Sequence, residues 1–137
     1  TKMVTFDWES ALDFNGQSAP YIQYAHVRAN SILRKAGLER PEVPQFSYDL
    51  QSSEINLIEL LARLPDEIQR AAKELKPSLI ANYAYDLAKA FNDFYNQCPV
   101  LNAEPAIRAA RLALVAAART CLVKVLTLMG IRAPEVM

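Results

Sequence analysis

SAPYIQYAHVRANSILRKAG, from Ser18 to Gly37, is the stretch whose reading decides the fold class. It opens on a helix start signal, because a serine oxygen can cap free backbone amides and Pro20 has no amide to satisfy. It closes on Gly37, a residue that tolerates the left-handed backbone on which helices end. One long helix is therefore expected from Ser18 to about Ala36. A loop containing Pro41 and Pro44 follows.

Working outward, the spacing of apolar residues stays helical almost everywhere. Ser53 is a candidate cap for a second helix in which Ile55, Ile58, Leu61 and Leu64 recur at three-residue steps, with Leu57 and Leu60 widening the apolar face. Pro65 is expected to interrupt it. Residues 66–75 then read as a shorter third helix with Ile68, Ala71, Ala72 and Leu75 inward. Pro77 opens a fourth helix reaching about Asn96, with Ile80, Tyr83, Leu87, Phe91 and Phe94 as its stripe. Asn102 is the expected cap of a fifth, which Pro105 fits in its first turn. Running to about Met129, that helix would be roughly 39 Å long. Gly130 stops it and Pro134 prevents its resumption. Residues 1–16 are the least regular, and Phe6, Trp8, Leu12 and Phe14 read as an arm with a short helix packing on the rest. No alternating strand pattern competes. The expected architecture is an all-α bundle of about five helices with an irregular N-terminal arm.

Composition narrows the function classes. The chain has 137 residues, 52% hydrophobic and 22% charged, which suits one domain and excludes intrinsic disorder. The longest apolar stretch, near residues 109–129, is interrupted by Arg111, Arg119 and Lys124, so no segment reads as membrane-spanning. Neither a signal peptide nor an N-x-S/T sequon is evident, and only Cys98 and Cys121 are present. Both cysteines read as structural thiols of a soluble intracellular protein. With Gly16, Gly37 and Gly130 alone, no glycine cluster can cradle a phosphate. His26, the single histidine, removes every metal site that needs two imidazoles, and it reads as structural. No pair of acids reads better as catalytic than as a solvated helix face. Catalytic residues, metal and cofactor are all expected to be absent.

Zero net charge hides a segregation. Residues 17–40 carry Arg28, Arg34, Lys35 and Arg40 against Glu39, and residues 97–137 carry Arg108, Arg111, Arg119, Lys124 and Arg132 against Glu104 and Glu135. The acids concentrate between residues 41 and 96. If the first and last helices pack side by side, one basic and one acidic side result. A basic side suits polyanion binding, and Tyr21, Tyr24, Tyr83, Tyr85 and Tyr95 supply flat rings of the kind on which RNA bases stack. The same arginines also read as a solvated face, and the same tyrosines as core. On composition alone both readings stand.

Three segments carry a resemblance. DFNGQSAPYIQYAHVRANSILRKAG (residues 13–37) resembles the segment of bacterial-type, class I arginyl-tRNA synthetases where the catalytic domain runs into the carboxy-terminal helical bundle. NYAYDLAKAFNDFYNQCPVL (residues 82–101) is similar to the central helix of that bundle. MGIRAPEVM (residues 129–137) is similar to the family's usual terminus. The order and spacing agree, and together the segments cover nearly the whole chain.

The resemblance implies a DALR-type anticodon-binding domain. Residues 1–17 would be the end of the catalytic domain or a linker arm, and residues 18–137 the α-helical anticodon-binding domain. The family's ATP signatures, His-x-Gly-His and a Lys-Met-Ser-Lys-like loop, do not occur here. ATP with Mg would therefore be used by the catalytic domain of a longer parent arginine–tRNA ligase, and this piece alone is expected to be inactive. Implied partners are the anticodon loop of an arginine tRNA and that catalytic domain, with no membrane; the implied compartment is the cytoplasm. Residue by residue, the family's anticodon contacts map onto Tyr21, Ala25 and Arg28, onto Tyr95 and Pro99, and onto Met137, with Asn92 a secondary candidate. Tyr21 and Tyr95 would stack bases, Ala25 would let a base approach the backbone, and Arg28 would hold a phosphate or base edge. Met137 would form a hydrophobic wall. Tyr83 and Phe94 are assigned to the core. The alternative from another class is a helical protein–protein interaction domain in which the same arginines and tyrosines meet an acidic partner.

Overall fold

This computed structural model describes residues 6–9, 13, 17–38 and 44–137, and among them four long α-helices form the bundle. They are α1 (Ala19–Ala36), α2 (Ser52–Glu74), α3 (Ser78–Gln97) and α4 (Pro105–Leu128). No strand occurs among the described residues.

The first helix begins and ends where expected. Ser18 holds the N-cap position, although its hydroxyl makes no capping bond, and Pro20 lies in the first turn. Gly37 has φ 70°, and the amides of Gly37 and Leu38 reach the carbonyls of Arg34 and Leu33 at 3.1 Å each. Those two bonds satisfy carbonyls that the helix end would otherwise leave open.

The second helix departs from expectation in three ways. Its cap is Gln51 rather than Ser53: the Gln51 side chain accepts from the Glu54 amide while a Glu54 carboxylate oxygen accepts from the Gln51 amide at 2.9 Å. That reciprocal pair is a capping box. Pro65 does not interrupt the helix, so the expected second and third helices are one of 23 residues. A proline removes one backbone bond and crowds the carbonyl four residues earlier. Here its ring faces solvent. The flanking turns are held by the Tyr83 hydroxyl, which donates to the Leu60 carbonyl at 2.7 Å, and by Arg63 paired with Glu67 at 2.7 Å. Continuity also turns the inward face. Leu57, Leu60 and Ala71 are buried, whereas Ile55, Ala72 and Leu75 are exposed. Leu75 ends the helix in the left-handed region at φ 53°, 87% exposed.

Every residue of the α3 stripe is buried as expected, with the Phe91 and Phe94 rings 6.3 Å apart at the centre. Glu104, not Asn102, is the N-cap of α4, whose 24 residues end before Gly130 at φ 71°. Ala110 and Ala118 are fully buried and let neighbouring helices approach closely. α2 lies along α3 and α1 along α4, and α1 and α4 both also contact α3.

Phe6 and Trp8 touch each other edge-on at 5.0 Å and are exposed. They do not pack on the bundle as expected, while Leu12 and Phe14 lie outside the described residues. Cys98 is buried and Cys121 half-buried, both as free thiols, and burial raises the pKa of Cys121. Among the described residues no helix is long and apolar enough to cross a membrane.

Candidate nucleic-acid interface

Arg28 is the centre of the candidate site. It projects from α1 toward the last turns of α3, where Nη1 donates to Asn92 Oδ1 at 2.8 Å. Nη2 donates to the Tyr24 hydroxyl at 3.2 Å. The guanidinium carbon lies 4.8 Å from the Tyr24 ring centre and 4.6 Å from that of Tyr95, close enough for both rings to attract the cation. The charge is thus half-buried yet accessible, and its plane is fixed by two rings and an amide. A guanidinium retains further N–H donors for a ligand in that state. Asn92 therefore orients the Arg28 side chain.

Two clefts meet at Arg28. One, of about 520 Å³, is lined by Pro20, Tyr21, Tyr24, Asn92, Asn96 and Met137. The other, of about 390 Å³, is lined by Ser31, Lys35, Tyr95, Asn96, Pro99 and Asn102 among others. Both fall in the roughly 300–1,000 Å³ range of pockets that hold small ligands. Tyr24 is 49% and Tyr95 41% exposed, so each presents ring surface to a flat ligand. Tyr21 is half-buried and packs against Tyr85, ring centres 5.3 Å apart.

Six of the seven expected residues come together: Tyr21, Arg28, Asn92 and Met137 around the first cleft, and Arg28, Tyr95 and Pro99 around the second. Ala25 does not. It is 0% exposed, and the reason is angular. Sharing a face with Tyr21 and Arg28 still leaves Ala25 about 60° from Arg28 around the helix, on the side of the buried Ile22 and Ala29. A long side chain reaches outward from such a position; a methyl group cannot. Tyr24 and Asn96 are lining residues not assigned to the site from sequence. Tyr24 stands one turn from Arg28 at i, i+4, a spacing that could have found it.

The Pro99 edge is braced from inside. Arg111 donates from Nη1 to the Pro99 carbonyl at 2.7 Å and from Nε to Glu54 Oε1 at 2.9 Å. Tyr48 donates its hydroxyl to the same Glu54 oxygen at 2.7 Å. Burial disfavours the Glu54 carboxylate, but hydrogen bonds from Arg111, the Gln51 amide and Tyr48 outweigh it and hold its pKa below the ordinary value. Burial and the Glu54 bond push the Tyr48 phenol up to about 12. Arg111 is accordingly an internal brace and not part of a basic surface, which corrects the charge reading of the last helix.

Residues 131–137 cross α1 on its other flank. Gln23 Nε2 donates to the Arg132 carbonyl at 2.7 Å, and the buried His26 bonds the Pro134 carbonyl through Nδ1 at 2.9 Å. His26, which the sequence reads as structural, is 3% exposed and ties α1 to this segment. Among the described residues no three His, Cys, Asp or Glu side chains gather as metal ligands.

Comparison with known proteins places this geometry in a family context. Residues 22–137 match the family described as the DALR anticodon binding domain. The arginine–tRNA ligase of Haloarcula marismortui is 46% identical over 100% of this chain and 24% of its own length. That of Pyrococcus abyssi is 48% identical over 98% of the chain and 22% of its own length. Among solved structures, the Thermus thermophilus arginyl-tRNA synthetase superposes with TM-score 0.88 at 40% identity, covering 99% of this chain and 24% of that one. The Plasmodium falciparum arginyl-tRNA synthetase does so with TM-score 0.79 at 27% identity, covering 96% and 23%. The chain spans about a quarter of the length of the relatives it matches.

Proposed function

The chain belongs to the DALR anticodon binding domain family, and from that premise we propose that it docks the anticodon stem-loop of an arginine tRNA on behalf of an arginine–tRNA ligase. The observation that carries this reading is the Arg28 cluster, a cation held between Tyr24 and Tyr95 at the junction of two open clefts. Unpaired RNA bases are read by stacking on aromatic rings and on guanidinium planes, with polar groups at their edges. Tyr21, Tyr95 and Arg28 supply the first kind of contact, Asn96 and Asn102 the second, and Met137 an apolar wall. Lys35, lining the second cleft, would meet the sugar–phosphate backbone, which positions the hairpin without reading its sequence.

Arginine activation with ATP and Mg belongs, in this proposal, to a catalytic part of the same protein acting in the cytoplasm. In the same proposal, residues 1–17 belong to the junction with that part. This bundle contributes affinity and selection.

A competition measurement tests the proposal. Labelled anticodon hairpin of an arginine tRNA is bound to the protein at moderate salt and challenged with its unlabelled self or with an unrelated hairpin of equal length. Displacement by the arginine hairpin at lower concentration than by the unrelated one is expected. Equal competition contradicts selection of the anticodon, and absence of binding to either hairpin favours a protein partner instead.

A further inference from the structure

Residues 23 and 26 stand one helical turn apart on α1, and each bonds a backbone carbonyl of the same extended segment. Gln23 takes Arg132 and His26 takes Pro134, two residues further on. A carbonyl can only accept, so Nδ1 of His26 carries the proton. Nε2 then faces the Asn30 amide, whose Nδ2 lies 3.5 Å away. Ile131, just before these anchors, and Ala133, between them, pack against the core. Beyond them, Glu135 lines a cleft with Asn30, Arg34 and Arg119, and Met137 lines the groove with Tyr21, Tyr24 and Arg28.

We infer that Gln23 and His26 are positioning residues of the groove: together they clamp residues 131–137 onto α1, so that Met137 walls the Arg28 cleft, and protonation of His26 loosens the clamp. The functional consequence rests on the RNA-docking reading; the clamp itself does not.

Protonation leaves the Nδ1 bond to Pro134 in place but adds a hydrogen at Nε2, which is buried and faces the Asn30 amide. Asn30 faces the imidazole from its own helix, Arg119 from α4, and Pro134 and Glu135 from the clamped segment. Burial lowers its pKa and the Arg119 charge adds to this, against the Pro134 bond and the Glu135 charge. With the segment released, the ring is hydrated and titrates near its ordinary 6.5. The clamped state therefore binds the proton less well than the released state. Clamping is complete above pH 6.5 and weakens as pH falls below it. No other histidine exists in the chain, so no other side chain with an ordinary pKa changes charge between pH 5.5 and 7.5.

The test has two readouts on the protein and on its His26→Gln variant, whose amide still donates to Pro134 but does not titrate. In the absence of RNA, the Met137 methyl signal is followed by NMR from pH 7.5 to 5.5. It is expected to move toward the position of a free methionine in the parent and to stay fixed in the variant. With the arginine-tRNA hairpin, parent affinity is expected to fall by up to about tenfold over that range, the limit that linkage to a group of pKa 6.5 allows, and the variant's affinity to stay level. A Met137 signal that stays fixed in the parent, or that moves equally in the variant, overturns the clamp. A hairpin that fails to bind at pH 7.5 contradicts the RNA reading, while the methyl titration still decides the clamp.

Discussion

Tyr95 does two jobs with one ring: it presents surface to the cleft and cushions the Arg28 cation at 4.6 Å. Stacking of a base on such a ring contributes about 1–3 kcal/mol. Tyr95→Ala is accordingly expected to weaken hairpin binding roughly tenfold to hundredfold. The far-ultraviolet circular dichroism should be unchanged, because the side chain is part-exposed at the end of α3. Unchanged affinity would remove Tyr95 from the interface. At this scale the site was legible through the resemblance, which points to Arg28, Tyr95 and Met137. Two features were not legible. One is the burial of Ala25, because the resemblance points to a position on α1 and does not say which edge of that helix turns inward. The other is the role of Gln23, which depends on a partner that stands far away in sequence, Arg132, whereas Tyr24 was within reach of its i, i+4 spacing to Arg28.

Helix ends and braces decide what the α2–α3–α4 side of the bundle can hold. Glu54 caps its own helix and also anchors Arg111 of α4, which in turn fixes the Pro99 carbonyl. Removing one partner of such a pair leaves a buried charge alone, at a cost of about 3–5 kcal/mol, whereas replacing both by apolar groups is far milder. Arg111→Met should therefore lower stability to urea at pH 7 by about 3–5 kcal/mol, and adding Glu54→Leu should recover much of it. The pH dependence has a definite sign. Glu54 is held below its ordinary 4.5 in the folded state, so the pair's stabilisation is complete above that value and is lost as pH falls through the lowered folded-state pKa. A single-mutant cost that stays equal well into acid would contradict this. The α3 stripe was legible because a helix pressed against a core on one side writes its period into the sequence. The continuity of α2 was not, since the effect of Pro65 depends on which way its ring faces. Nor was its left-handed end at Leu75, where no glycine marks the turn.

Taken whole, the bundle pairs the two basic segments, and packs the acid-rich α2 along α3 and also against α4. Pairing of α1 with α4 was the condition for a basic side, and it is met. The inventory nonetheless overstates that side, because Arg111 lies inside and is neutralised by Glu54. On α2 much of the charge cancels locally, with Glu67 between Arg63 and Arg70 and Glu74 beside Arg70 and Lys76. Fold class could be read from the chain because it is a sum over many residues. The groove could not, because it exists only where α1, the end of α3 and residues 131–137 converge. Its occupancy is the central claim. Chemical-shift mapping of the protein titrated with the anticodon hairpin of an arginine tRNA tests it most directly. The largest shifts are predicted at residues 20–28, 92–99 and 135–137, with residues 59–73 of α2 unmoved; shifts concentrated on α2, or none anywhere, would contradict it.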